Sequence, residues 1–159
     1  MKAIRATEEW ARAGVYYVRT EAMVLGFQLR LEGEFADDDP GSKYILVVDD
    51  EGRPLSTNRI HLLPNKGFAK IERVATVSTA RGIGAGRIGI EAAEEWIKEL
   101  GYRKIVITSR KEAEGFYWKL GYATREDMNP DTLEPKKADD PVQELKDPRF
   151  ICVYMEKGV

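Results

Sequence analysis

The sequence holds one cysteine, Cys152, and one histidine, His61, in 159 residues. A lone cysteine cannot close an internal disulfide, so nothing calls for an oxidising compartment. No Cys/His cluster offers the spacing of a zinc site, and no metal is expected. A Ser-His-Asp set would have to rest on His61 alone. Long apolar runs are missing as well. The longest are of the size of Ile45-Leu46-Val47-Val48, far short of the ~18–20 residues of a membrane span. The opening Met1–Arg5 is charged and lacks an apolar signal region. Neither sign of charge dominates, with 25 Lys/Arg against 27 Asp/Glu and a net charge of −2. There is thus no bulk case for nucleic acid. Repeats and low-complexity tracts are absent. These absences predict a cytoplasmic protein with neither a membrane nor a nucleic-acid partner.

What is present fits a single domain over residues 1–159. Apolar residues are 43% and charged residues 33% of the chain, and a fold of this size buries roughly 70% of its unfolded surface. Charge is unevenly spread. Residues 68–124 carry 10 bases and 7 acids, while both flanks are net acidic. An anionic ligand is therefore sought in the middle segment.

The pattern along the chain alternates. Lys2–Ala6 reads as a short strand, and Glu8 to about Leu31 as helical with a break near Gly14 or Gly26. Glu34–Ser42 is acidic and turn-rich and is expected to be a solvated loop. Lys43–Asp49, Arg53–Leu63 and Phe68–Val77 are β-rich runs joined by tight turns, an antiparallel meander. From Gly84 to Leu100 the period is helical, with Ile88, Ala92, Trp96 and Leu100 four apart and Gly101 at the end. Lys104–Thr108 reads as a buried strand, Lys111–Leu120 as a second helix, and Tyr122–Arg125 and Phe150–Glu156 as strands. Residues 126–149 contain four of the seven prolines and read as an irregular insertion before the last strand: a lid, a dimer arm or a floppy excursion.

Between strand and helix stands Arg81-Gly82-Ile83-Gly84-Ala85-Gly86-Arg87. Glycines let backbone approach a ligand, and the first amides of a helix lack internal partners. Together with Arg81 and Arg87 they make an anion site, with phosphate the common guest. Gly84–Gly89 also matches G-x-G-x-x-G. The following strand ends in Thr108-Ser109-Arg110 rather than in an acid for a ribose, so only an NADP-type reading would survive. No G-K-S/T occurs, which excludes a P-loop.

The same residues resemble the GNAT family of acetyl-CoA-dependent N-acetyltransferases. Arg81–Gly86 fits the pattern Arg/Gln-x-x-Gly-x-Gly/Ala. Ala113–Tyr122 resembles the family's Ala-x-x-Phe-Tyr-x-x-Leu-Gly-Phe/Tyr at the usual spacing. The likeness is firmest over about residues 43–125, and the N-terminal part is similar to a small bacterial subgroup. The resemblance implies an α/β fold whose mixed, V-split sheet has about seven strands and helices on both faces. It implies that amides of Arg81, Gly82, Ile83, Gly84, Ala85, Gly86 and Arg87 hold the coenzyme A diphosphate. The strand carrying Val74, Ala75 and Thr76 would splay from 104–108, with pantetheine between them. An amide near Thr76 would polarise the thioester carbonyl. Phe116 would line the channel. Arg110, where the family has Asn or Gln, would meet a coenzyme phosphate.

Acetyl transfer to an amine also needs proton traffic. Tyr117 matches the family's acid for the leaving thiolate. Glu72 is the candidate base, placed by alternation on one face with Val74 and Thr76. A structural ion pair with Arg59, Lys70 or Arg73 is the competing role for Glu72, and a hydrogen-bonded strand residue that for His61. Cys152 reads as an inert buried thiol. The acceptor would be a small-molecule or peptide amine, and a homodimer is possible. A non-catalytic acyl-CoA-binding module on the same fold is the alternative to an enzyme, and an NADP-binding module a further one.

Overall fold

The computed structural model describes all 159 residues. Its centre is one mixed sheet of seven strands in the order β1-β2-β3-β4-β5-β7-β6. These are β1 Lys2–Arg5, β2 Lys43–Val48, β3 Pro54–Leu63, β4 Phe68–Thr76, β5 Lys104–Arg110, β6 Ala123–Thr124 and β7 Cys152–Gly158. β2, β3 and β4 pair antiparallel in sequence order, as the alternating β-branched runs and tight turns predict, and β1 adds antiparallel to β2. β4 and β5 are parallel, joined by the α-helix Ala85–Glu99, as a parallel pair requires. β7 lies antiparallel between β5 and β6.

Helices cover both faces. On one, α1 (Glu9–Arg19) sets Ala11, Val15, Val18 and, one turn on, Ala22 against Tyr44, Leu46, Val48 and Ala75. That spacing of three and four residues is one helical stripe. On the other face lie α3 (Ala85–Glu99) and α4 (Glu114–Lys119). They pack on Ile45, Val47, Ile71, Ile105, Ile107 and Met155. The inward stripe of α3 is Gly89, Ile90, Ala93 and Ile97. It is rotated from the predicted Ile88–Ala92–Trp96–Leu100 line, and Leu100 is exposed. Gly89 explains the close seat of this helix: a Cβ there would lie 3.2 Å from Asn58 Nδ2 and 3.3 Å from Val47 Cγ2.

Several expectations need correction. The first helix passes Gly14 unbroken and ends close to Gly26, the second of the two places expected. α1 runs on through a π-helical turn, Thr20–Leu25, and the chain reverses at Gln28, with φ of 57°. A one-turn helix α2, Leu31–Glu34, follows. The acidic stretch after it is turn-rich as expected but only partly solvated, with Asp37 and Asp39 exposed. Glu34 is buried, and Asp38 has a side chain only 8% exposed. Both face Arg19, itself 1% exposed. Arg19 donates to both Asp38 carboxylate oxygens (2.6 and 2.9 Å) and to the Glu34 carbonyl (2.7 Å). The insertion 126–149 has no α-helix or ladder strand. Its first half is anchored, with Met128 in a cluster with Phe68, Val106 and Tyr154 and Leu133 against it. Thr108 Oγ1 donates to the Pro130 carbonyl at 3.0 Å. The second half, 137–147, is almost wholly exposed. No helix is long and apolar enough to cross a membrane.

Candidate active site

The pairing of β4 with β5 is confined to Ala69↔Ile105 and Lys70↔Val106. Beyond Lys70 the strands part, which is the expected V. Its cause is visible in β4. Arg59 pairs with Glu72 and Thr57 with Ala75, so Asn58 faces two residues, Arg73 and Val74. This is a β-bulge, and Arg73 takes φ of 52° in it. The extra residue reverses the alternation after it. Val74 joins the core under α3, whereas Ala75 joins the core under α1. Thr76 Oγ1 lies 3.6 Å from where a Cβ on Gly86 of α3 would stand. Glu72 bonds Arg59, whose other partners belong to the 37–38 loop beside α1. Glu72 therefore does not share a face with Val74 and Thr76, and the bulge is the reason.

The mouth of the V continues into a cleft of about 580 Å³. Its walls bring together Val74, Ala75, Thr76, Arg81, Gly82, Gly84, Ala85, Gly86, Arg87, Phe116 and Tyr117. These are most of the residues that sequence singled out, drawn from β4, the glycine turn, α3 and α4. Gly82 and Gly84 have φ of 79° and 89°, the left-handed region that glycine enters at no steric cost. Gly84 caps α3. The first bond of the helical ladder runs from the Ile88 amide to the Gly84 carbonyl at 3.1 Å. The amides of Ala85, Gly86 and Arg87 thus have no partner within the helix, and those of Arg81 to Gly84 donate to no other backbone group. Such a row of N–H groups at a positive helix end suits a diphosphate. Arg87 bonds Glu91 one turn along (Nε to Oε1, 2.8 Å), which holds its guanidinium at the rim.

Tyr117 is 6% exposed, and burial pushes its phenol well above the ordinary range. Its ring meets Phe116 and Tyr122 edge-on, with centroids 5.0 and 6.0 Å apart. Its hydroxyl makes no hydrogen bond within the protein while neighbouring Tyr122 donates to Glu94 at 2.9 Å. A neutral phenol without an internal partner, on the wall of the cleft, is equipped to donate a proton.

The Ile83 side chain projects into solvent, while its amide stays in the unpaired row of the glycine turn. Another predicted coenzyme residue does not line the cleft. Arg110 stands at the end of β5, where Nε donates to the Arg149 carbonyl (2.6 Å) and the guanidinium stacks 4.7 Å from the Phe27 ring. Those partners turn it from the phosphate side. The cleft adds Ala80, Ala113, Lys119 and Leu120, which sequence reading missed. Lys119 and Leu120 fall three and four residues after Phe116, a helical offset that would have flagged them.

Glu72 belongs to a second cavity of about 430 Å³, lined also by Asp37, Asp39, Arg59 and His61. Its Oε1 accepts from Arg59 Nε at 3.0 Å, and Lys70 Nζ stands 3.5 Å from Oε2. His61 Nδ1 is 3.4 Å from Oε1. The structural pairing foreseen for Glu72 with Arg59 and Lys70 is therefore present. Cys152 is half-buried, its Sγ 3.2 Å from the Phe150 carbonyl, and burial raises its thiol.

The chain matches the Acetyltransferase (GNAT) family over residues 4–122. It is 30% identical over 122 residues to the uncharacterised N-acetyltransferase YjcF of Bacillus subtilis, covering 77% of this chain and 85% of that one. A crystal structure of a provisionally named N-acetyltransferase from Lactobacillus plantarum shares 25% identity, with a TM-score of 0.78 over 99% of this chain and 97% of its own. N-acetylglutamate synthase from Neisseria gonorrhoeae, complexed with coenzyme A and N-acetyl-glutamate, has a TM-score of 0.68 at 12% identity. That likeness, over 99% of this chain and 34% of the synthase, is one of fold alone. With its glycine turn, its split sheet and a family match across most of its length, the chain belongs to the GNAT acetyltransferase family.

Proposed function

We propose that the protein transfers the acetyl group of acetyl-CoA to a primary amine by direct attack within a ternary complex. The observation that carries this reading is one cleft that joins the unpaired amides of the glycine turn to Val74–Thr76 of β4, the stretch of that strand past its last pairing with β5. A diphosphate binds at the turn, with Arg81 and Arg87 adding charge. Pantetheine lies along the free edge of β4 beyond Lys70, pairing with backbone as a strand would. A backbone amide near Thr76 donates to the thioester oxygen as negative charge develops there. Tyr117 gives its proton to the departing thiolate. Holding both reactants in place supplies much of the rate. A direct proton transfer to Glu72 would break its pairing with Arg59, so the amine's proton leaves to water in the neighbouring cavity, with Glu72 and His61 on its wall. The coenzyme-bound synthase of the same fold supports the choice of donor.

The dinucleotide alternative loses its support in the sheet, which has one parallel pair instead of a doubly wound set. The test is calorimetry with coenzyme A and NADP, followed by thiol release from acetyl-CoA across classes of amine. Coenzyme A binds, NADP does not, and Arg81→Glu raises the coenzyme dissociation constant at least about tenfold, since a repelled phosphate replaces an attracted one. Binding without thiol release from any amine would make the chain a non-catalytic coenzyme-binding module. Unchanged binding in Arg81→Glu would remove the phosphate assignment.

A further inference from the structure

Arg73 is the feature of the fold that packing alone does not explain. A non-glycine residue with φ of 52° is held in a region that disfavours it, in the middle of β4. Such strain persists only where the surroundings over-determine it. Here the surroundings are two carboxylates from a distant loop. Arg73 Nη1 lies 3.3 Å from Glu34 Oε1, and Nη2 lies 3.4 Å from Asp37 Oδ1. Glu34 is itself fixed, buried beside Arg19. Asp37 is gripped by the two terminal guanidinium nitrogens of Arg59, Nη1 and Nη2, at 3.2 and 3.0 Å. Arg59 in turn bonds Glu72, the residue just before the bulge. The backbone at 72–73 is therefore clamped through two adjacent side chains to one acidic loop. Across the bulge Asn58 is 2% exposed, and its buried Oδ1 has no hydrogen-bond partner. On the β3 side Ser56 Oγ donates to the Ala75 carbonyl at 2.9 Å, past the bulge, and the Arg73 side chain itself is held by the two carboxylates.

Resting on the acyl-CoA reading, we infer that Arg73 is a positioning residue: the grip of Glu34 and Asp37 on its guanidinium fixes the β4 bulge, and with it the direction of the backbone amides that follow toward the thioester carbonyl. The bulge turns Val74 and Thr76 to the cleft, so a bulge that relaxes or shifts by one residue turns them away. A donor that wanders from the carbonyl leaves the diphosphate site intact, because that site is built on α3 and its turn. The inference thus separates two functions that a general loss of structure would damage together.

The test uses the full-length protein and acetyl-CoA labelled with ¹³C at the carbonyl. Binding to the wild type moves the carbonyl infrared band to lower frequency, as a donated hydrogen bond does. Arg73→Ala removes the clamp and leaves a residue that disfavours the positive φ. Arg73→Gly removes the clamp but accepts that φ freely, so it preserves folding if the alanine variant does not. In the glycine variant the band shift falls by at least about half while the calorimetric affinity for coenzyme A stays within about threefold. Glu34→Gln also lowers the band shift and leaves the coenzyme affinity within about threefold. A full band shift in Arg73→Gly overturns the positioning role. A parallel collapse of band shift and coenzyme affinity in a variant that melts like the wild type overturns it too, by showing a single undivided site. A wild type that binds no coenzyme A overturns the coenzyme reading beneath it.

Discussion

At the scale of single residues, the cleft separates groups that act from groups that hold. Tyr117 has a hydroxyl with no internal partner, so removing it costs the fold no hydrogen bond. Tyr117→Phe is expected to keep its melting temperature and its coenzyme affinity. If the phenol is the acid, turnover falls by about 10²-fold or more. A variant with unchanged thiol release would remove Tyr117 from the reaction. Gly86 makes the opposite trade. A methyl group there meets Phe116 Cζ at 3.4 Å and Thr76 Oγ1 at 3.6 Å, ordinary contacts inside the first turn of α3. Gly86→Ala should stabilise the helix by about 0.5–1 kcal/mol. It also fills the wall where the proposed diphosphate would approach backbone. Its expected signature is a higher melting temperature with a weaker coenzyme constant, and binding as tight as wild type would argue against backbone contact at that point.

At the scale of elements, what could be read in advance followed local chemistry. The meander β2–β3–β4 announces itself in β-branched runs and turn residues, and α3 in its period and its flanking glycines. What could not be read were the places where distant residues override local pattern. The break in alternation at Arg73 carries no glycine or asparagine to mark a positive φ. The acids at 34–38 looked solvated because their partners, Arg19, Arg59 and Arg73, lie far along the chain. Arg110 was misplaced because Phe27 and Arg149 come to it from elements remote in sequence. The insertion was legible as irregular but not as two unlike halves. Limited trypsin digestion should separate them. Lys136 and Lys137 stand exposed where the anchored part ends, so the first cuts are expected there. A first cut between β4 and β5 would show that the central crossover is the looser element.

At the scale of the whole molecule, stability depends on how a buried ionic cluster ties the N-terminal layer to the sheet. Burial alone would raise the Asp38 carboxyl. Hydrogen bonds from Arg19 and Tyr44, with the charges of Arg19 and Arg59, outweigh it and hold the group at about 2. For Glu34 burial wins over the charges of Arg73 and Arg19, and the carboxyl is raised. The signs are opposite. Asp38 contributes stability above its ordinary value of 3.8, which is lost as pH falls through about 2. Glu34 contributes most below its ordinary value of 4.5, and its contribution is lost as pH rises through the folded value. Urea midpoints measured from pH 4 down to pH 2 should fall for the wild type and fall less steeply for Asp38→Asn. Equal slopes in the two proteins would show that the cluster does not govern acid unfolding.

Because β4 and β5 meet at only two residue pairs, the sheet has the build of a book bound by a short stitch at one end of its spine. The open pages present hydrogen-bonding edges that belong to neither solvent nor core. Bare edges of this kind attract extended chains without discrimination, so the free protein is the form most prone to clump. On the reading proposed above, coenzyme A added in storage would act as a bookmark, and light scattering over days would record its benefit.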